Sequence, residues 1–477
     1  MNQPPVPASS SDSSTSSSSS SATFSPRDRW YLGALLLIAF FVGACGIVHL
    51  GYVGQDYGGI QGHNHLMRAF PNDYAFAKLT NPPGLYIVGH LIFRYLSSVY
   101  YLEILATFLL LLNLGALWLM FRVVWETIGT WQLRYAAAAL ITFLPFRTIH
   151  AIVAAGDTFT LPFFAVAAVI ALSLYRNPRN VAAWLGLGVT LGLSLVFKYT
   201  FVGVAAALGG LLALRIWKEV PGNQRWLWLG VQAAALAIPA GVFVFEVYIK
   251  GVGPNQHWKP PENDPVMRWH DILTLEKKDL GIFEAPQYFK DRLYDFRKYS
   301  YMALVHLAVF TDCQNYFRRP PQTISPNWKQ RYTNEGFDRD RDPRAHHLEK
   351  WSVAWNLPYS ALAIGASLSF LVLAAHGLFW PRQSVIPPAA IVLVVMAWGF
   401  FSPIYFNLHR VGDPYTAGYF TPRLILPALV SFFVLGYALV ELVVKRLGRF
   451  PKAAAAVNGT FLAHTAVACA LFIGFLT

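Results

Sequence analysis

Apolar residues in this chain gather into long runs, separated by polar stretches, and the runs have the length of a bilayer crossing. A helix needs about twenty consecutive apolar residues to span a hydrocarbon core of ~30 Å. Runs near that length lie at Trp30–Leu50, Tyr101–Phe121, Arg134–His150, Thr158–Tyr175, Val181–Phe197 and Tyr199–Leu214. Others follow at Trp226–Ile249, Val353–His376, Ser384–Ser402, Leu424–Val444 and Ala453–Leu476. The pattern predicts an all-α polytopic membrane protein with about eleven transmembrane helices. "YMALVHLAVF" (Tyr301–Phe310) is apolar but too short to cross, and suits an interfacial or packed helix.

Composition agrees with that pattern. The 477 residues are 55% hydrophobic and 13% charged, whereas about a quarter of a soluble domain is charged. Residues 1–29, with "SSSDSSTSSSSSSATFS", hold too little apolar surface to fold and read as a Ser-rich tail. Three cysteines, Cys45, Cys313 and Cys469, make no disulfide framework.

The charges between the spans orient the bundle, because short cytoplasmic loops carry the excess of Lys and Arg. Arg27 and Arg29 precede the first span, which predicts a cytoplasmic amino terminus. Threading outward from there puts Arg122, Arg134, Arg176, Arg179, Arg215, Lys218, Arg225, Arg382, Lys445, Arg446, Arg449 and Lys452 on the same side. The net charge of +13 therefore marks topology, and nucleic acid is not an expected partner.

That threading leaves four stretches on the outer side: Gly51–Tyr100, the turn at Gly156 and Asp157, Lys250–Lys350, and Ser402–Arg423. Lys250–Lys350 holds nearly balanced acids and bases, so it reads as a solvated cap over the bundle. The expected organisation is a tail at 1–29, a membrane module at 30–250, an outer segment at 251–352 and carboxyl-terminal helices at 353–477.

Candidate chemistry begins in "QDYGGIQGHNH" (Gln55–His65), directly after the first span. Asp56, His63 and His65 carry ligand chemistry for a divalent metal. The two histidines share a face only in an extended chain, and no Cys or His-x3-His pattern reinforces them, so no metal is assigned. Downstream, Asn81-Pro82-Pro83 breaks the chain and starts a helix at Gly84. Its apolar positions Leu85, Ile87, Val88, Leu91 and Ile92 predict a helix lying along the membrane surface, with the loop folded back over the bundle.

Taken in order, the outer-loop Asp56, "NPPGLY", "AGDTFTLPFF", "VFKYT" and "YFTPRLILPAL" resemble the GT-C membrane glycosyltransferases. The nearest group is the superfamily of dolichyl-phosphate-mannose protein mannosyltransferases and bacterial aminoarabinose transferases. The resemblance covers roughly Trp30–Ile249 and, more thinly, Leu424–Val444; no single motif is specific, and the order carries it.

It implies a GT-C fold in a bacterial inner membrane and transfer of a sugar from a polyprenyl-phosphate donor to an outer-side acceptor. Asp56 matches the general base of an inverting transfer. Lys198 and Arg423 match cations for the lipid phosphate, with snorkelling to headgroups as the alternative. Asp157 matches an acid that positions the first loop or the acceptor, with a plain helix N-cap as the alternative.

His65 matches a histidine that bonds sugar or phosphate, and His63 and Asn81 fall in the same binding set. Members carry Asp-Glu where this chain has Asp56-Tyr57, and Lys or His where it has Asn81, which keeps Asp73 as a second candidate base. A polymerase or ligase of lipid-linked saccharides would look similar. A membrane transporter is the rival from another class, although no inverted repeat is evident.

Overall fold

A computed structural model describes residues 24–49, 58–71, 82–245, 301–311, 343–379, 386–408, 414–446 and 450–476. All regular structure among them is helical. In chain order the elements are α1 (Pro26–His49), α2 (Gly58–Ala69), α3 (Gly84–Tyr95), α4 (Tyr101–Thr127), α5 (Trp131–Thr142) and α6 (Pro145–His150). A 3₁₀ turn (Gly156–Phe159) precedes α7 (Thr160–Arg176), α8 (Val181–Phe197), α9 (Phe201–Glu219) and α10 (Gly222–Val244). The remainder are α11 (Tyr301–Phe310), α12 (Pro343–Trp355), α13 (Leu357–Phe379), α14 (Pro388–Leu408), α15 (Pro414–Arg446) and α16 (Pro451–Leu476).

Eight stretches of helix among the described residues are long and apolar enough to cross a bilayer, and α8 and α14 contribute shorter apolar segments. The chain is an all-helical polytopic membrane protein. Buried residues from Leu32 to Phe472 form one continuous apolar core. The amino-terminal and carboxyl-terminal helices therefore share one interior, and α12 runs across the boundary expected at 352/353.

The expected single span at Arg134–His150 is instead two helices. Pro145 has no N–H to donate and forces the residue before it out of helical geometry. Leu144 is accordingly extended and α6 starts at Pro145. The break leaves the Thr142 carbonyl without a helical donor, and the buried Arg147 guanidinium donates to it and to Thr148 Oγ1. Irregular backbone survives at membrane depth only where protein groups satisfy it in this way.

Side-chain bonds gather the short basic connections at one end of the bundle. Glu441 of α15 accepts from the N–H groups of Gly129 and Thr130 and from Thr130 Oγ1, at 2.8–3.0 Å. Arg176 pairs with Glu126, Arg215 Nε donates to the Tyr175 carbonyl, and Lys218 reaches the Leu378 carbonyl. The Tyr135 hydroxyl donates to Asp28 at the start of α1.

Elsewhere glycines set the spacing between helices, as expected where packing rather than hydrophobicity holds them together. A Cβ on Gly203 of α9 would lie 2.0 Å from the Gly399 carbonyl oxygen of α14. One on Gly188 of α8 would lie 2.4 Å from the Ala235 oxygen of α10.

The short helix α11 is packed, as its length predicts, with Val305 to Phe310 buried. Its His306 bridges the Ser360 hydroxyl (2.7 Å) and the Val353 carbonyl (3.0 Å). Burial pushes the His306 imidazole down to about 4. The neutral ring donates from Nε2 to Val353 and accepts from Ser360 at Nδ1.

Two outcomes are expected. Gly203→Val should lower stability by about 1–3 kcal/mol through overpacking. Gly210→Ala, which meets nothing within 4 Å, should be neutral; melting of the detergent-solubilised protein compares them. His306 stays neutral when folded but protonates near pH 6.5 when unfolded, so its contribution is complete above pH 6.5 and is lost as pH falls toward 4. A pH series of melting temperatures should show that loss, and His306→Gln should flatten it.

Candidate functional site

At the end of the bundle away from the basic turns, three pieces of chain meet. The first is the 3₁₀ turn that carries Asp157. Asn113, a lone amide inside the apolar α4, is buried and donates to the Leu109 and Thr158 carbonyls at 2.9 and 3.2 Å. The Thr158 hydroxyl donates to the Val153 carbonyl and that of Thr160 to the Asp157 carbonyl, both at 2.6 Å. These bonds fix the turn at the head of α7.

The second piece is the end of α8, where Lys198 is the extended C-cap residue. Its Nζ lies 2.5 Å from Asp157 Oδ1, and the two side chains are only 19% and 8% exposed. A carboxylate so buried needs a paired cation or a set of donors, and Lys198 supplies the charge. The N-cap positions of the 3₁₀ turn and α7, Ala155 and Phe159, make no side-chain capping bond. Asp157 itself, in the first turn of the 3₁₀ helix, is ion-paired with Lys198.

The third piece is the pair of helices α2 and α3, which follow α1 in the chain. A Cβ on Gly84 would lie 2.6 Å from the Phe197 ring, so α3 begins directly on the residue before Lys198. Phe159 and Phe163 pack the other sides of that ring at centroid distances of 4.2 and 5.2 Å. The helix α2 locks against α3: Met67 fills the space over Gly89, and the His90 ring is 3.0 Å from the Met67 carbonyl. Arg68 lies over the Tyr101 and Phe93 rings and donates to the Tyr101 hydroxyl. The loop folds back on the bundle, as its proline-started helix predicts.

Of the sequence-predicted site residues, the structure brings Asp157 and Lys198 together. His65 lies exposed on α2. His63 is on the same helix, and its side chain lies outside the described residues. No group of three His, Cys, Asp or Glu with metal-binding proximity occurs among the described residues. Arg423 lies within α15, which begins earlier than the apolar pattern suggests, at Pro414; its side chain is outside the described residues, as are Asp56, Asp73 and Asn81.

Two contributors escaped the sequence reading. Asn113 is an isolated polar residue inside an apolar run, a signal that was available in the sequence. Phe197 carried none, because its role comes only from what folds around it.

No protein-family model, no curated protein and no solved structure matches this chain.

Lys198 and Asp157 should behave as a coupled unit. Lys198→Met alone strands a buried carboxylate, and Asp157→Asn alone strands the ammonium. The double substitution should recover about 0.5–3 kcal/mol relative to the sum of the two singles. A double-mutant cycle of melting temperatures measures this, and additivity would mean that the pair holds nothing together.

Proposed function

We propose that the protein is a GT-C-type membrane glycosyltransferase that moves a sugar from a polyprenyl-phosphate donor to an acceptor at the outer membrane face. The observation that carries this reading is the buried Asp157–Lys198 pair lying beneath the folded-back first loop. A cation held by a carboxylate at the end of a span, where loop helices cover it, suits the phosphate of a lipid carrier. The arrangement of basic turns at the opposite end supports a cytoplasmic amino terminus and an outward-facing site. Soluble nucleotide sugars would then be on the wrong side, which favours a lipid-linked donor.

In this reading Asp56 takes the proton of the acceptor hydroxyl as its oxygen attacks the anomeric carbon. The bond from that carbon to the phosphate oxygen breaks, and its electrons leave with the polyprenyl phosphate. Attack opposite the leaving group inverts the configuration. Lys198 and Arg423 offset the charge that develops on the phosphate. Asp157 fixes where the Lys198 ammonium sits, which makes it a positioning residue. The module at 30–250 carries the chemistry, and the later helices with the segment at 251–352 shape the acceptor side.

The test is release of polyprenyl phosphate by purified protein offered a panel of polyprenyl-phosphate sugars. Wild type should turn over at least one donor. Asp56→Asn should lose about 10²–10⁴-fold in kcat, the usual worth of a general base. Full activity in Asp56→Asn would move the base to Asp73, and an inert wild type across the whole panel would sink the enzyme reading.

A further inference from the structure

The end of the bundle that carries the basic turns contains a cavity of about 420 Å³, within the size range of small-ligand sites. It opens between the turn joining α4 to α5, α13 at Phe370, the start of α14 and the end of α15. Its lining includes the apolar Phe370 and Ile386, and its charged lining is Glu126, Arg134, Glu441 and Lys445. A neighbouring cavity of about 370 Å³ shares Glu126 and adds Arg122, Arg176 and Asn177.

The charges in this region are not balanced. The carboxylate of Glu441 is occupied by two backbone N–H groups and the Thr130 hydroxyl, and that of Glu126 by Arg176. Lys445 stands 3.4 Å from Glu441, yet its side chain is 63% exposed. Arg134 donates from Nε to the Ile128 carbonyl and lies 5.9 Å from the Trp125 ring centroid. No carboxylate pairs with it among the described residues. Across the two cavities four cations, Arg122, Arg134, Arg176 and Lys445, face two carboxylates, so the net formal charge is +2.

Cations lining a cavity at the end of the bundle, where a bilayer presents its headgroups, form a receptor for a phosphate group. Basic pockets between helices on the cytoplasmic side of membrane proteins bind acidic headgroups for this reason. We propose that the larger cavity binds a phosphate-bearing anion, with Arg134 and Lys445 as its ligands. The phosphate comes either from an anionic phospholipid of the adjacent leaflet or from solution. Arg134 is preset by its bond to Ile128 and its contact with Trp125, which lowers the ordering cost of binding. Because Glu441 ties α15, which lines the same cavity, to the α4–α5 turn, occupancy stiffens that junction and raises thermal stability.

The experiment measures melting temperature for the full chain in neutral detergent, with three separate additions: phosphatidylglycerol, phosphatidylcholine and inorganic phosphate. Stabilisation by phosphatidylglycerol but not phosphatidylcholine or inorganic phosphate identifies the lipid as the source. Stabilisation by inorganic phosphate identifies the soluble source. In either case Lys445→Gln should weaken apparent affinity by about tenfold, the worth of one charge-assisted bond, and adding Arg134→Gln should abolish the shift. Lys452→Gln, an exposed lysine at the same end that does not line the cavity, should leave it intact. If Arg134→Gln does not fold, Lys445→Gln against Lys452→Gln decides alone. No stabilisation by either anion, or equal loss in those two variants, overturns the proposal.

Discussion

The buried ion pair between Asp157 and Lys198 is the constraint around which the end of the bundle away from the basic turns is arranged. Either charge alone would be costly in an apolar bundle, so the two must be delivered to one another with little freedom left. Asn113 holds the turn that carries the acid, the final turn of α8 presents the base, and the Phe197 ring between them is the platform on which α3 begins. A large part of the local architecture follows from keeping two opposite charges 2.5 Å apart.

The same requirement recurs at two other departures from an unbroken helix. Where Pro145 interrupts the third apolar run, Arg147 donates to the carbonyl left free at Thr142. Where α4 gives way to α5, Glu441 receives the N–H groups of Gly129 and Thr130. Away from water an unmet backbone group is expensive, and at each of these two breaks a polar side chain meets it. The polar side chains at these positions mark where the helices are interrupted. Read this way, they also separate the two ends of the bundle. One is pinned by Glu441 and the ion pairs among basic turns, the other by the pair at Asp157 and the aromatic packing about Phe197.

Much of this was legible residue by residue. The helical class, most of the crossings, the gathering of basic turns at one end and the packed character of Tyr301–Phe310 follow from run lengths and charge placement. So does the start of α3 at Gly84, because proline suits a first helical turn and Pro82-Pro83 stand just before it. Asp157 and Lys198 were each legible as unusual charges at span ends. Their partnership was not, since each had a sufficient local explanation: a helix cap for the acid and snorkelling for the base. The continuous span expected over Arg134–His150 shows the converse error. Apolar content outweighed the local signal of Pro145, whereas in the folded chain the backbone rule prevailed and Arg147 made the break tolerable.

The sequence by itself determined that this is a helical, multi-crossing membrane protein with its basic connections on one side, because bilayer thickness and charge asymmetry act on local composition. Only the tertiary structure decided which charges meet, which glycines allow helices to touch, and where cations are left facing a cavity. Those outcomes depend on contacts between segments far apart in the chain, and no local pattern encodes the distance between Asp157 and Lys198 or between Gly129 and Glu441.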